Sequence, residues 1–460
     1  MTMSSVKKTR REFLRTSASL ATLAGFTPYL FSSEQPVRVK SLNERLNLAA
    51  IGTSQYRAGI WNSAAPQDGR GTVISRHAAN FGHMIAAADA HLPFAKKFAS
   101  YFPAGQCRAC TDYRELIADN TIDAVFIGTP DHWHVKIAVE ALKSGKHVYV
   151  EKPLSLTIDE TRKIVKVAKE TGKVVQVGSQ QRTENDSFRK AAAICRSGRL
   201  GKTLSFRSTY PIERVSNRDV FADRTPFKPE PIPEGLDWNL WQGQAPVAEY
   251  FLERCFYNFR YWRAYAGGVI TDWGGHNADF ISWVLDTMAE PIEISGKGKF
   301  PNIPGWYDVA EEFNVDFKYA DGTTVKICTG PENNRGLNEV IVEGEHGRIR
   351  VNRGGLTGRP VETLTQKDEE ELAEIMHSLM RGKKPGDHVR NFFECIEDNS
   401  QPVCDVFSVA NGINMSHMAN ICLLTGRTLR WNQKKYQFDN DPEATAMIAR
   451  KPREGFEIDA

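Results

Sequence analysis

Two stretches of this chain carry side chains able to move a proton at a substrate hydroxyl. In "VYVEKPLSLT", residues 148–157, a run of strand formers stops at Glu151, Lys152 and Pro153. Proline fixes its own φ and disfavours helix at the residue before it, so the Lys152 amine is held at a strand end. An ammonium has three donors, which can bind a reacting oxygen and favour a developing alkoxide. In "GGVITDWGGHNAD", residues 267–279, Asp272 and His276 stand four apart, and Asp279 follows three later. Residues at those spacings share one face of a helix. Histidine titrates near neutrality and suits proton abstraction. A neighbouring carboxylate raises its basicity and fixes its tautomer. The reading is that His276 is a general base and that Asp272 assists it or binds a neighbouring hydroxyl. Asp279 reaches the same imidazole or the substrate.

Such groups need a scaffold that brings them to one place. From Leu46 onward, strand and helix signals alternate. "LNLAAIG", "GHMIAAAD", "IDAVFIGTP", "KHVYV" and "KVVQVGSQQR" read as buried strands. "DHWHVKIAVEALKSG" has apolar residues at helical spacing and a stop at Gly145. "TIDETRKIVKVAKETG" opens with Thr157 and Glu160 as a capping box and ends at Gly172. Alternation of this kind implies a parallel sheet with right-handed crossovers, whose ligands bind beyond the carboxyl ends of the strands. Lys152 falls at such an end.

The phosphate loop is irregular. A dinucleotide fold wants G-x-G-x-x-G opening a helix, and a ribose-binding acid about 20 residues on. Here Gly52 is followed by Thr53 and Ser54, and Asp89 comes 37 positions after Gly52 but only 18 after Gly71. Residues from about 54 to 68 therefore read as an insertion, with the first helix starting near Arg70 to Thr72. Asp89 accepts hydrogen bonds from ribose hydroxyls and repels a 2′-phosphate, which favours NAD over NADP. A glycine-rich surface loop and a turn-capping Asp are the plainer alternatives.

"GTPDHWH" at 128–134, "EKP" at 151–153 and "GGVITDWGGHNAD" together resemble the glucose-fructose oxidoreductase / inositol dehydrogenase (Gfo/Idh/MocA) family. "LDWNLWQGQAP" at 236–246 and "NFFECIEDNSQPVCD" near the end extend the resemblance over nearly the whole chain after the leader. It implies an α/β chain: an N-terminal Rossmann dinucleotide-binding domain and a C-terminal α+β domain with a large, mostly antiparallel open sheet. Its C-terminal segment is expected to pack back toward the first domain. The divisions expected are 1–40 for leader and linker, 41–178, 179–435, and a tail at 436–460. The resemblance places Gly52, Ser54, Gly71, Asp89, Thr129, Pro130, His134, Glu151, Lys152 and Gln180 against the cofactor. Lys152 also touches the nicotinamide ribose, and Trp133 packs. Arg182, like Gln180, ends its strand where substrate or the nicotinamide amide would lie.

Between the motifs, "ERCFYNFRYWRAYAGG" combines aromatics with Arg254, Arg260 and Arg263. Aromatic faces stack on sugar rings and arginine forks bind carboxylate or sulfate, so Tyr261 and Arg263 are candidate substrate contacts. Core packing is the equal alternative. His132 and His134 lack a third ligand at metal spacing, so no metal is expected.

The leader "TRREFLRTSASLATLAGFTPYLFSS" resembles a twin-arginine export signal. Its weakly hydrophobic stretch is short for a bilayer span, though an uncleaved anchor stays open. The expected location is the periplasm, reached folded and with a tightly bound cofactor. The formal net charge of +3 belongs to the leader, whose five bases and one acid leave the rest near −1. That gives no hint of a nucleic-acid surface. With 41% hydrophobic and 25% charged residues over 460 positions, two ordinary globular domains fit. Eight cysteines make no disulfide scaffold, although Cys107 and Cys110 could pair locally. The leading reading is an NAD(P)-dependent oxidoreductase acting on a secondary hydroxyl of a sugar, sugar acid or cyclitol, as a homodimer or homotetramer. The alternatives are an NAD-dependent glycosidase working by transient oxidation and elimination, and a non-catalytic binding protein.

Overall fold

The computed structural model describes residues 45–56, 67–211, 214–215, 218–219, 224–285, 290–329 and 338–460. The export-signal reading and the middle of the loop insertion lie outside them. Six short strands form the first sheet: β1 (Asn47–Ile51), β2 (His83–Ala88), β3 (Arg108–Cys110), β4 (Ala124–Ile127), β5 (His147–Val150) and β6 (Val175–Val177). They run parallel in the order β3-β2-β1-β4-β5-β6. The order reverses between β1 and β4, which opens a crevice at their carboxyl ends.

Both faces of this sheet are covered, as an all-parallel sheet requires. Successive strand residues point to opposite faces. Ile51, Val125, Ile127, Val148 and Val150 meet helices α4 (Asp131–Lys143) and α5 (Ile158–Thr171). Leu48, Met84, Phe126 and Tyr149 pack instead with α1 (Arg70–Ala78) and α2 (Leu92–Ala99). The same face is completed from far along the chain by α11 (His388–Asp398), whose Phe392 ring lies 5.5 Å from that of Phe126. Between β3 and β4 runs the short helix α3 (Arg114–Ala118).

Sequence signals set the local stops. Thr157 Oγ accepts the Glu160 N–H at 3.2 Å, and Gly172 ends α5 with a φ of 63°. The reciprocal bond of the expected capping box goes one residue back, from Leu156 N–H to the Glu160 carboxylate. The insertion is visible as a departure and a return. Gln55–Tyr56 pairs antiparallel with Gln67–Asp68, Gly69 N–H donates to Ser54 O at 2.8 Å, and α1 begins at Arg70.

After α6 (Gln181–Glu184) and α7 (Asp186–Arg196) comes a nine-stranded sheet. Its strands are β7 (Ser205–Tyr210), β8 (Glu293–Lys299), β9 (Glu312–Lys318), β10 (Thr324–Thr329), β11 (Glu339–Gly344), β12 (Gly347–Asn352), β13 (Gly355–Thr357), β14 (Leu429–Asn432) and β15 (Gln437–Phe438). The order is β13-β12-β11-β7-β10-β9-β8-β14-β15, and only β7 and β10 run parallel. Alternate residues such as Phe206, Val315, Phe317, Val340 and Ile349 are buried beneath helices, while Arg207, Asn314 and Arg350 lie outward.

The covering helices are α8 (Val269–Asp272), α9 (Gly274–Leu285), α10 (Gln366–Leu379) and α12 (Val406–Thr425). α9 and α12 cross closely because Gly412 lacks a Cβ, which would sit 2.7 Å from Asp279 Cα. The tail returns to the first sheet. Arg450 pairs with Glu160 at 2.8 Å and donates to His132 O, and Lys136 Nζ donates to Glu457 O. No helix among the described residues is long and apolar enough to cross a membrane. All eight cysteines are buried free thiols, so Cys107 and Cys110 form no bridge.

Candidate active site

Three glycines build the floor of the crevice. A Cβ on Gly71 would lie 2.0 Å from Gly52 O, and one on Gly128 would lie 2.3 Å from Gly71 Cα. The ends of β1 and β4 and the start of α1 thus touch backbone to backbone. This leaves the helix N-terminus open to a phosphate. Asp89, one residue past β2, accepts Thr53 N–H at 2.8 Å and His91 N–H at 2.9 Å. Burial pushes its carboxyl up to about 6 against those two bonds.

Asp89 lines a cleft with Gly52, Ser54, Thr129, Pro130 and Glu151. Thr129 Oγ1 is buried there without a hydrogen-bond partner. A segment of the second lobe roofs the cleft: Leu92 N–H donates to Gly235 O, Asp237 N–H donates to Ala90 O, and Leu236, Tyr250 and Phe256 line it. The close glycines, the fixed strand-end acid and the orphaned threonine hydroxyl fit a dinucleotide.

Lys152 and Arg70 line this cleft and also the adjoining cavity that holds Asp272 and His276. Lys152 Nζ lies 2.6 Å from Asp272 Oδ1, and Arg260 Nε lies 3.3 Å from the same oxygen. Burial alone would raise the Asp272 carboxyl, but the two cations outweigh it and hold the group well below the usual carboxylate range. Gly275 makes room for the lysine stem, since a Cβ there would meet Lys152 Cδ at 3.1 Å. Glu151 Oε1 accepts from Arg70 at 3.0 Å, Gln180 at 3.1 Å and Tyr149 at 3.3 Å, so one buried acid orders three neighbours. The Lys152–Pro153 peptide is cis.

His276 is buried, with Nδ1 unpartnered. Burial, then the charges of Lys152 and Arg353, push its pKa well below the usual histidine range, against the pull of Asp272. The imidazole is therefore neutral.

Several expectations need correction. Asp272 does not hydrogen-bond His276, because its carboxylate is committed to Lys152 and Arg260. Asp279 turns away from the imidazole and grips Arg182, whose Nε and Nη2 lie 2.9 and 2.5 Å from its oxygens. Both side chains are at most 2% exposed, so this is an interior ion pair and not a substrate contact. His134 sits behind the wall, with Nδ1 2.7 Å from Pro153 O and Nε2 2.9 Å from Thr129 O. It positions the two loops that carry Thr129 and Lys152. Tyr261 is fully buried among aromatic rings, and Arg263 pairs with Asp308 at the surface.

The same stretch supplies Tyr257 and Arg260 to the cavity instead. Three lining residues were not read as site residues from the sequence. Arg70 was legible as the first residue of α1. Asp131, in the "GTPDHWH" motif, is 5% exposed in the cleft wall, and burial pushes it up to about 7. Arg353 comes from the β12–β13 turn, where no motif announces it. Among the described residues no cluster of His, Cys, Asp and Glu could hold a metal.

Comparison with known proteins agrees with this fold. Residues 48–179 match the oxidoreductase family with an NAD-binding Rossmann fold, and residues 189–458 match the family's C-terminal alpha/beta domain. A 1,5-anhydro-D-fructose reductase from Ensifer adhaerens is 27% identical over 66% of this chain and 80% of that protein. A levoglucosan dehydrogenase from Pseudarthrobacter phenanthrenivorans is 34% identical over 52% of this chain and 56% of its own. A solved levoglucosan dehydrogenase, in complex with NADH and levoglucosan, superposes with a TM-score of 0.56 at 19% identity, over 84% of this chain and 99% of that one. The chain belongs to the Gfo/Idh/MocA oxidoreductase family, with that family's NAD-binding Rossmann domain and C-terminal alpha/beta domain.

Proposed function

We propose that this protein oxidises a secondary hydroxyl of a sugar, sugar acid or cyclitol with NAD, and that it does so as a periplasmic protein exported folded by the twin-arginine route. One observation carries the catalytic reading. Lys152 from the first lobe and Asp272 and His276 from the second line a single cavity that adjoins the dinucleotide cleft. Gly52, Ser54, Gly71, Asp89 and Thr129 would hold the dinucleotide. When bound, it supplies the hydride acceptor.

The chain's own groups handle the proton and the oxygen. Asp272 orients the Lys152 ammonium through bonds of 2.6 Å to its Oδ1 and 3.2 Å to its backbone O, and the third ammonium hydrogen donates to the substrate oxygen and favours negative charge there. Neutral His276 takes up the hydroxyl proton, with Nδ1 free of protein partners. His134 fixes the loops on either side, so the amine is placed before substrate arrives.

A periplasmic enzyme meets little free dinucleotide, and the roof over Asp89 supports a resident cofactor. Denaturing the purified, undialysed protein should release about one dinucleotide per chain; finding none would refute a resident cofactor. The non-catalytic alternative requires this cleft to bind no dinucleotide, so a titration with NAD separates it. Release of aglycone from an activated glycoside without net NADH would instead favour the elimination route.

A further inference from the structure

We propose, resting on the dehydrogenase reading, that the substrate carries an anionic group, a carboxylate or phosphate, bound by Arg353, which lines the cavity of Asp272 and His276 but not the cofactor cleft. The cavity is lined by four cations, Arg70, Lys152, Arg260 and Arg353, and by two carboxylates, Asp272 and Glu184. Three of the cations are matched within the protein. Arg70 pairs with Glu151, and Lys152 and Arg260 share Asp272.

Arg353 has no such partner. Its Nε donates to Gln181 Oε1 at 3.0 Å, its guanidinium lies 5.1 Å from the Trp273 ring centroid, and neither Nη has a protein acceptor among the described residues. The amide and the indole therefore orient the fork and leave one edge to the cavity. Glu184, the remaining acid on this lining, receives His388 N–H at 3.4 Å and forms no ion pair with Arg353. A neutral sugar offers the fork no charge partner, whereas a planar carboxylate or a phosphate fits it bidentately. Arg353 comes from the β12–β13 turn and Lys152 from the end of β5, so they grip the ligand from opposite lobes.

The test is calorimetric titration of the NAD-loaded protein with matched probes of gluco, galacto and manno configuration. Each set holds the neutral hexose, its hexuronate and its 6-phosphate. The acidic member of at least one set should bind at least about tenfold tighter than its hexose, the effect of one charge-assisted hydrogen bond. The hexuronate and 6-phosphate arms identify which anion is preferred. In Arg353→Gln the acid-to-neutral ratio should fall towards one, and Arg353→Lys should keep part of it. Melting temperatures near that of the wild type confirm that both variants are folded. No acid preference in any set, or a preference that survives Arg353→Gln, overturns the assignment. A neutral sugar or cyclitol that reduces NAD in that case leaves the dehydrogenase reading standing.

Discussion

Replacing Asp279 by alanine should destabilise the second lobe rather than weaken substrate binding. Arg182 and Asp279 are 1% and 2% exposed, and two hydrogen bonds join them. Without the carboxylate, the guanidinium keeps neutral partners only: Ser408 Oγ, Ser408 O and Val403 O. Removing one member of a buried pair leaves an uncompensated charge and costs about 3–5 kcal/mol. For a lobe of this size the loss lowers the melting temperature by on the order of 10 °C. Differential scanning calorimetry at fixed NAD measures it. A double variant, Arg182→Met with Asp279→Leu, removes both charges and should recover most of the loss, because an apolar pair of similar volume is often no worse than the ion pair. If Asp279→Ala melts within about 2 °C of the wild type while its KM rises, the two side chains belong to the substrate site and the interior reading fails.

Two further predictions test the cleft. Gly71→Ala places a methyl 2.0 Å from Gly52 O, so the backbone must shift; NAD binding by calorimetry should weaken at least about tenfold, with a stability loss of about 1–3 kcal/mol. Asp131 is raised by burial to about 7 in the fold and titrates near 3.8 when unfolded. The stability it contributes is present below pH 3.8 and lost as pH rises through 7, so the Asp131→Asn cofactor-free protein should gain melting temperature over the wild type across that window and hold the gain above it. A constant difference across the range would refute the buried ionisation.

Much of this site could be read from residue types and spacing. The apolar runs closed by Gly52, Asp89, Gly128 and Glu151 are strands, and strand ends are where this sheet opens. The interval from Gly71 to Asp89 located the insertion, because an insertion moves the count but not the contact between glycines. What failed was side-chain direction. Arg182 and His134 sit beside true cleft residues in the chain, yet the short helix α6 and the first turn of α4 rotate them inward. Spacing along α8 and α9 put Asp272 near His276 but could not show that Lys152, from another lobe, would claim the carboxylate. Tyr261 and Arg260 are neighbours in one turn of 3-10 helix, so one is buried where the other lines the cavity. Arg353 was invisible because its place depends on how the sheet edge folds over the cavity.

The central claim is that Lys152 and His276 act on one substrate hydroxyl beside the cofactor cleft. The direct measurement is single-turnover NAD reduction by the best substrate from a carbohydrate and cyclitol screen, comparing the wild type with His276→Ala and Lys152→Met. The account predicts that each rate falls by about 10²–10⁴-fold while NAD affinity stays within a few-fold. Transfer at near wild-type rate in either variant, with NAD still bound, would contradict it.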